Sequence, residues 1–211
     1  MARPRSFDEQ RVLEAVRDRF WDAGYAATSL DDLMQVSGLG KGSLYAAFGD
    51  KHQLFLRALR SYADNTASEL REVIAAAPRA LDGLRMVVMA PVSDSTGAAA
   101  RRGCLMANST CELASDDPDV REQARHTFET MAALIADGVA RAQREGDVPT
   151  DADPTALAWA VLAALEGLTF LGRTGIDLDT LAAIARSLAD HLLPDQRTKS
   201  AQPRRRPRPV S

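Results

Sequence analysis

The chain has 211 residues, 45% apolar and 26% charged, with a formal net charge of −3. That is enough for one or two small domains with real cores and is ordinary for a water-soluble globular protein. No apolar run comes near the ~20 residues that cross a bilayer, no apolar stretch follows the basic start Met-Ala-Arg-Pro-Arg-Ser, and two cysteines do not make a disulfide scaffold; a cytoplasmic protein without membrane contact is the expectation.

The net charge conceals a partition. Residues 1–60 carry nine Lys/Arg against eight Asp/Glu, residues 61–193 eleven against twenty, and residues 194–211 six against one. Phosphate contacts depend on local charge, so the first segment can still meet nucleic acid if its cations share a face.

Nearly everything up to about residue 193 reads as helix: Ala and Leu dominate and apolar residues recur at spacings of three and four. The first helix runs from Phe7, with Val12, Val16 and Phe20 on one stripe, and ends at Gly24. Ser29-Leu-Asp-Asp32 matches a capping box with Asp in place of Glu. It opens a short helix that buries Leu30, Leu33 and Met34. Ser37-Gly38-Leu39-Gly40 is a tight turn. A third short helix spans about Lys41 to Phe48, with Leu44 and Phe48 facing inward, and Asp50 caps a long fourth helix to about Ala77. A helix carrying Leu81, Leu84 and Val88 follows Pro78, and Pro91 to Gly97 is a loop. Two further helices are expected near 100–114 and 118–145. The last two, about 154–172 and 177–193, are very apolar, and the first of them starts at the strong signal Asp153-Pro154. Residues 194–211, ending Pro-Arg-Arg-Arg-Pro-Arg-Pro, form a disordered basic tail, either a flexible arm for phosphates or a solubilising end.

These elements predict an all-α protein of three parts: a helix-turn-helix domain over 1–50, a helical effector-binding and dimerisation domain over 51–193, and the tail over 194–211. The helix, four-residue turn and helix between Ser29 and Phe48 have helix-turn-helix dimensions. If Leu33, Leu44 and Phe48 pin the third helix inward, its outer face is Lys41, Gly42, Ser43, Tyr45, Ala46 and Ala47. That face is small and polar enough for a major groove about 12 Å wide. No converging acids, bases or nucleophiles accompany it, so no enzyme and no cofactor are expected. His52, His126 and His191 are scattered and suggest no metal site.

The run Gly24-Tyr-Ala-Ala-Thr28-Ser29-Leu-Asp-Asp-Leu33, followed by Ser37-Gly-Leu-Gly-Lys-Gly-Ser-Leu-Tyr-Ala-Ala-Phe-Gly-Asp-Lys51, resembles the signature of the TetR family. The resemblance covers about residues 7–55. It implies a one-component bacterial repressor with an N-terminal reading head and an all-helical domain that binds a small effector and dimerises. It assigns Lys41, Gly42, Ser43 and Tyr45 to the recognition helix, Thr28 and Ser29 to a phosphate-contacting lead-in to the second helix, and Lys51 to a further phosphate. Tyr45 could instead serve packing. Gly40 stands where the family often has Ser or Thr, and Ala47 where many members have a large polar residue, so base readout falls more on Lys41, Tyr45 and apolar contact with thymine methyls.

The last two helices expose more apolar surface than a monomer tolerates. Their pairing in a homodimer is also what the resemblance implies, and a twofold axis would set two reading helices about 34–36 Å apart. The effector should be small and largely hydrophobic, with Cys104, Asn108, Cys111, Phe128, Met131, Trp159, Glu166 and Phe170 as candidate contacts. Glu166, alone in the apolar run 156–171, either meets a cationic or hydroxylated ligand, sits at the dimer seam, or pairs with an Arg. Cys104 and Cys111, on one helix face about 10 Å apart, read as a thiol sensor activated by Arg101 and Arg102, or as small buried hydrophobes; the second reading is preferred. An activator of the same fold, or a carrier or enzyme using the apolar pocket, are the alternative functions.

Overall fold

The computed structural model describes residues 7–196. Ten α-helices are present among the described residues, in the order α1 (Glu9–Ala23), α2 (Leu30–Ser37), α3 (Lys41–Phe48), α4 (Lys51–Ala76), α5 (Ala80–Met89), α6 (Ala98–Arg102), α7 (Leu105–Leu113), α8 (Pro118–Arg144), α9 (Pro154–Arg173) and α10 (Leu178–Leu192). The all-α expectation is met.

Local chemistry explains most boundaries. The Asp8 carboxylate caps α1 through the amides of Gln10 and Arg11. Ser29 and Asp32 form the reciprocal capping box at α2. Asp50, Asp117, Asp153 and Asp177 cap α4, α8, α9 and α10. Each satisfies amides that have no partner inside the helix.

One expected helix is two. The segment near 100–114 breaks at Gly103, whose φ of +71° is open to glycine and strained for other residues. Cys104 follows as the N-cap of α7, and its sulfur accepts from the Ala107 amide. The two cysteines differ in exposure, Cys104 at the N-cap being buried and Cys111 within α7 exposed.

The apolar interior forms two clusters. One lies in the body, where Leu81 and Leu84 of α5, Ile135 and Val139 of α8, Val161 and Leu168 of α9 and Ala185 of α10 are fully or nearly fully buried. The other gathers Val16 and Phe20 of α1, Leu33 of α2, Leu44 and Phe48 of α3, and Leu54, Phe55 and Leu59 of α4, together with Leu105 and Met106 of α7 and Val120 of α8. The interior of the head thus continues past the expected boundary at residue 50, because α7 and the start of α8 supply one of its walls.

α9 corrects a second expectation. It has 20 residues and is long and apolar enough, by length and composition, to cross a membrane. A helix packed in a protein passes the same test. Here α9 lies against α8, α6 and α10 through Ala158, Val161, Leu162, Leu168 and Gly172.

The chain also stays in the fold beyond the expected end of the body. Arg79 donates to the buried Asp147 carboxylate at 2.9 Å and to Asp195 at 3.0 Å, and the Gln196 amide donates to the Asp147 carbonyl. The tail reading applies at most to residues 197–211, which lie outside the described residues, as do residues 1–6.

Candidate nucleic-acid interface and effector cleft

α3 is held by its inner face and presents its outer one. Leu44 is 0% and Phe48 3% exposed, each burial contributing about 1.5–3 kcal/mol. Phe48 rests 6.3 Å from Phe7 and beneath the Arg57 guanidinium. Lys41, Gly42, Ser43 and Ala46 are exposed, and Tyr45 and Ala47 are half-buried. The Lys41 ammonium lies 5.9 Å from the centre of the Tyr45 ring. Gly38 makes the turn in the left-handed conformation, whereas Gly40 is extended and leaves α3 with no side-chain cap.

At the lead-in to α2, Ser29 is exposed and Thr28 is not. The Thr28 side chain is fully buried, and its hydroxyl donates to the Gly24 carbonyl at 2.7 Å. The expectation that Thr28 reaches a phosphate is corrected: its hydroxyl is used to close the α1–α2 corner. Lys51 is half-buried with its ammonium 4.3 Å from the Tyr25 ring centre. Hydrogen bonds from the Ser29 hydroxyl and amide, then the Arg19 guanidinium, hold the Asp32 carboxyl down to about 2.

The second feature is a cleft of about 490 Å³ where the head meets the body. One wall is the end of α1 and the following corner, residues 22–27; the other is α7 and α9. Of the expected effector contacts, Cys104, Asn108, Cys111, Glu166 and Phe170 line it. Phe128, Met131 and Trp159 do not. Met131 is buried in the body core, Phe128 packs between the two clusters, and Trp159, 43% exposed, faces outward.

Cys104 is not an activated thiol. Burial, then the nearby Glu166 charge, push its pKa up to about 12, against hydrogen bonds from Tyr62 and the Ala107 and Met106 amides. The arginines expected to activate it point elsewhere. Arg102 pairs with Asp18 and Asp22 and lies over Trp21, and Arg101 donates to the Thr96 carbonyl. Burial also raises the Glu166 pKa, and its neighbours Cys104 and Thr169 only partly offset this.

Residues that sequence reasoning did not single out tie the cleft to the head. The Glu112 carboxylate accepts from the Ala26 amide at 2.7 Å and the Tyr25 amide at 3.0 Å. A side chain at Gly24 would meet that carboxylate at 2.9 Å. His52 is likewise not isolated: its Nε2 lies 2.8 Å from Asp117, and with Asp119 these form a group of three metal-type ligands. One Asp117 oxygen already caps α8.

A three-helix head with an outward second helix of a helix-turn-helix, mounted on a helical body with a cleft, defines the class of DNA-binding transcriptional regulators. The family model described as "Bacterial regulatory proteins, tetR family" matches residues 12–58, and "Tetracyclin repressor-like, C-terminal domain" matches residues 80–188. The chain belongs to the TetR family. It is 27% identical over 184 residues to the transcriptional repressor ComR of Escherichia coli, covering 87% of this chain and 88% of that one. It is 28% identical over 182 residues to the uncharacterised regulator YezE of Bacillus subtilis, covering 86% and 94%. Among solved structures, a cysteine mutant of the TetR-family regulator CifR, complexed with a 26-base-pair operator, superposes with a TM-score of 0.75 at 29% identity, covering 89% of this chain and 98% of that one.

Proposed function

We propose that the protein is a dimeric, cytoplasmic repressor that binds a palindromic operator and leaves it when a small, largely apolar ligand enters the cleft. The observation that carries this is the division of α3, with Leu44 and Phe48 buried while Lys41, Gly42, Ser43 and Ala46 are exposed. Lys41, Ser43 and Tyr45 then read base edges, Gly42, Ala46 and Ala47 allow close approach, and Ser29 and Lys51 meet phosphates. Lys51 reaches a phosphate by leaving the Tyr25 ring. Repression follows the named role of ComR, and operator binding follows the CifR complex.

The outward face of α9 supports the dimer. Trp159 is 43% exposed on α9, outside the cleft, and a partner helix would take its apolar surface out of water. Ligand entry then shifts the population toward a form whose fourth helices hold the two heads at a spacing the operator does not accept.

The test is a mobility shift at fixed salt with the DNA flanking the protein's own gene, using wild type and Tyr45→Ala. Specific retardation that the variant loses supports the reading. Salt-sensitive retardation of any DNA, or none, overturns it. Light scattering on the free protein checks the dimer.

A further inference from the structure

We propose that the cleft between head and body is a seat for a small organic cation, an ammonium or amidinium group on a flat apolar body, whose charged end is received by Glu166. This rests on the reading of the cleft as the effector site and goes beyond it by naming the ligand's chemical class.

Charges of both signs surround the cleft. Among the described residues three carboxylates line it, Asp22, Glu112 and Glu166, against one guanidinium, Arg173. Asp22 is engaged by Arg102 at 2.9 Å. Glu112 is engaged by the Tyr25 and Ala26 amides. Arg173 donates to the Arg102 carbonyl at 3.2 Å and lies along Gly103. Glu166 differs from the other two acids. Its Oε2 is buried and accepts no hydrogen bond from a described residue, the Cys104 and Thr169 side chains beside the carboxyl only partly offsetting its burial.

A carboxylate oxygen taken from water without a donor is destabilising, and an N–H of a cation is the partner that offsets most of that cost. A carboxylate ligand would instead meet the Glu166 and Glu112 charges, with Asp22 already paired to Arg102 and Arg173 the one cation among the described lining residues. A neutral ligand could donate a hydrogen bond but would leave the acidic excess uncompensated. The rest of the wall suits an apolar body: Ala23, Ala27, Ala107 and Phe170 surround the opening, and an aromatic ring also gives a flat ligand a stacking surface. The cleft volume lies in the range of small-molecule sites.

The position gives the ligand leverage on DNA binding. The wall facing Glu166 is the α1–α2 corner itself, and that corner is fastened to α7 by Glu112. A molecule lying between Glu166 and residues 22–27 therefore presses on the segment that leads into α2.

The probes are benzylammonium, benzyl alcohol and benzoate, one ring with three charge states, titrated at millimolar concentration into the full-length protein without DNA and followed by calorimetry. Benzylammonium should bind roughly tenfold more tightly than benzyl alcohol, the scale of one charge-assisted hydrogen bond, and benzoate should not bind. Glu166→Gln should erase the preference for the cation. Ala27→Trp, at an exposed position on the cleft wall, should block all binding and keeps the test independent of how Glu166→Gln folds. No binding of benzylammonium, equal binding of the alcohol, or a preference that survives Glu166→Gln overturns the proposal. A repressor that footprints its operator yet ignores the cation overturns the ligand class alone. A protein that binds the cation but no operator overturns the regulatory reading alone.

Discussion

The Arg102 guanidinium lies 4.2 Å from the centre of the Trp21 ring, so that a residue at the end of α6 covers an aromatic of α1. The same guanidinium bonds Asp22 at 2.9 Å and Asp18 at 3.2 Å. It joins head and body through stacking and charge together, which a lysine's point charge does not reproduce.

Arg102→Ala should therefore destabilise the protein by about 1–2 kcal/mol, mainly through the lost cation–π contact, because the two ion pairs are partly solvated. Thermal unfolding should begin roughly 2–4 °C lower per kcal/mol. Arg102→Lys should recover only part of the loss. Full recovery would mean that charge alone matters.

Adjacent residues of α3 should separate stability from DNA binding. Leu44→Ala opens a cavity beneath the helix and should cost about 2–5 kcal/mol. Tyr45→Ala removes a half-buried side chain and should change stability by only about 0.5 kcal/mol while weakening operator binding. Denaturant melts paired with fluorescence anisotropy on labelled operator check both. Equal stability losses would show Tyr45 to be a packing residue.

Gly40→Ser should improve the protein. Gly40 is extended at φ −71°, has no described atom within 4 Å of its would-be Cβ, and provides no cap. A serine can accept from the amides of α3 and gain a few tenths of a kcal/mol. On the proposed docking its hydroxyl would also offer a hydrogen bond to a phosphate, so operator affinity should rise in the same anisotropy assay.

Gly83→Ala should be costly despite adding one methyl to a helix. The new carbon would meet the Ile74 Cα at 2.9 Å and the Val73 carbonyl at 3.1 Å, both backbone atoms of α4 that cannot step aside. Overpacking of this kind costs about 1–3 kcal/mol, measurable as a lower denaturation midpoint.

Glu166 should make stability depend on pH in a definite direction. Burial raises its folded-state pKa above that of the unfolded chain. The folded state thus favours the protonated acid, and the stabilisation this provides is complete below the unfolded value of about 4.3 and lost as pH rises through the folded value. Glu166→Gln should melt close to wild type near pH 4 and progressively higher than wild type toward pH 7. A gap that does not change with pH would contradict this.

The helices and the reading head were legible because their determinants are local. Asp8, Ser29, Asp50, Asp153 and Asp177 cap within three residues of themselves, and Leu44 and Phe48 declare their face by spacing. The cleft was half legible: Cys104, Asn108 and Glu166 stand out in the sequence, but their meeting with residues 22–27 does not. Glu112 reaches the Ala26 amide across 86 positions, and one more acid on a helix carries no sign of that. Thr28 misled because the resemblance assigns its position to a phosphate, whereas the corner folds the hydroxyl inward onto Gly24. The break at Gly103 could have been found from the glycine itself, but the surrounding Ala, Leu and Met favour an uninterrupted helix.

The mixed ancestry of the interior beneath α3 has a thermodynamic consequence. Phe20 and Leu33 share their cluster with Phe55, Met106 and Val120, so a fragment ending at Asp50 would forfeit the groups that shield its apolar side from water. The head is then unsuited to autonomous folding, and a calorimetric scan of the intact chain should trace a single cooperative peak rather than two.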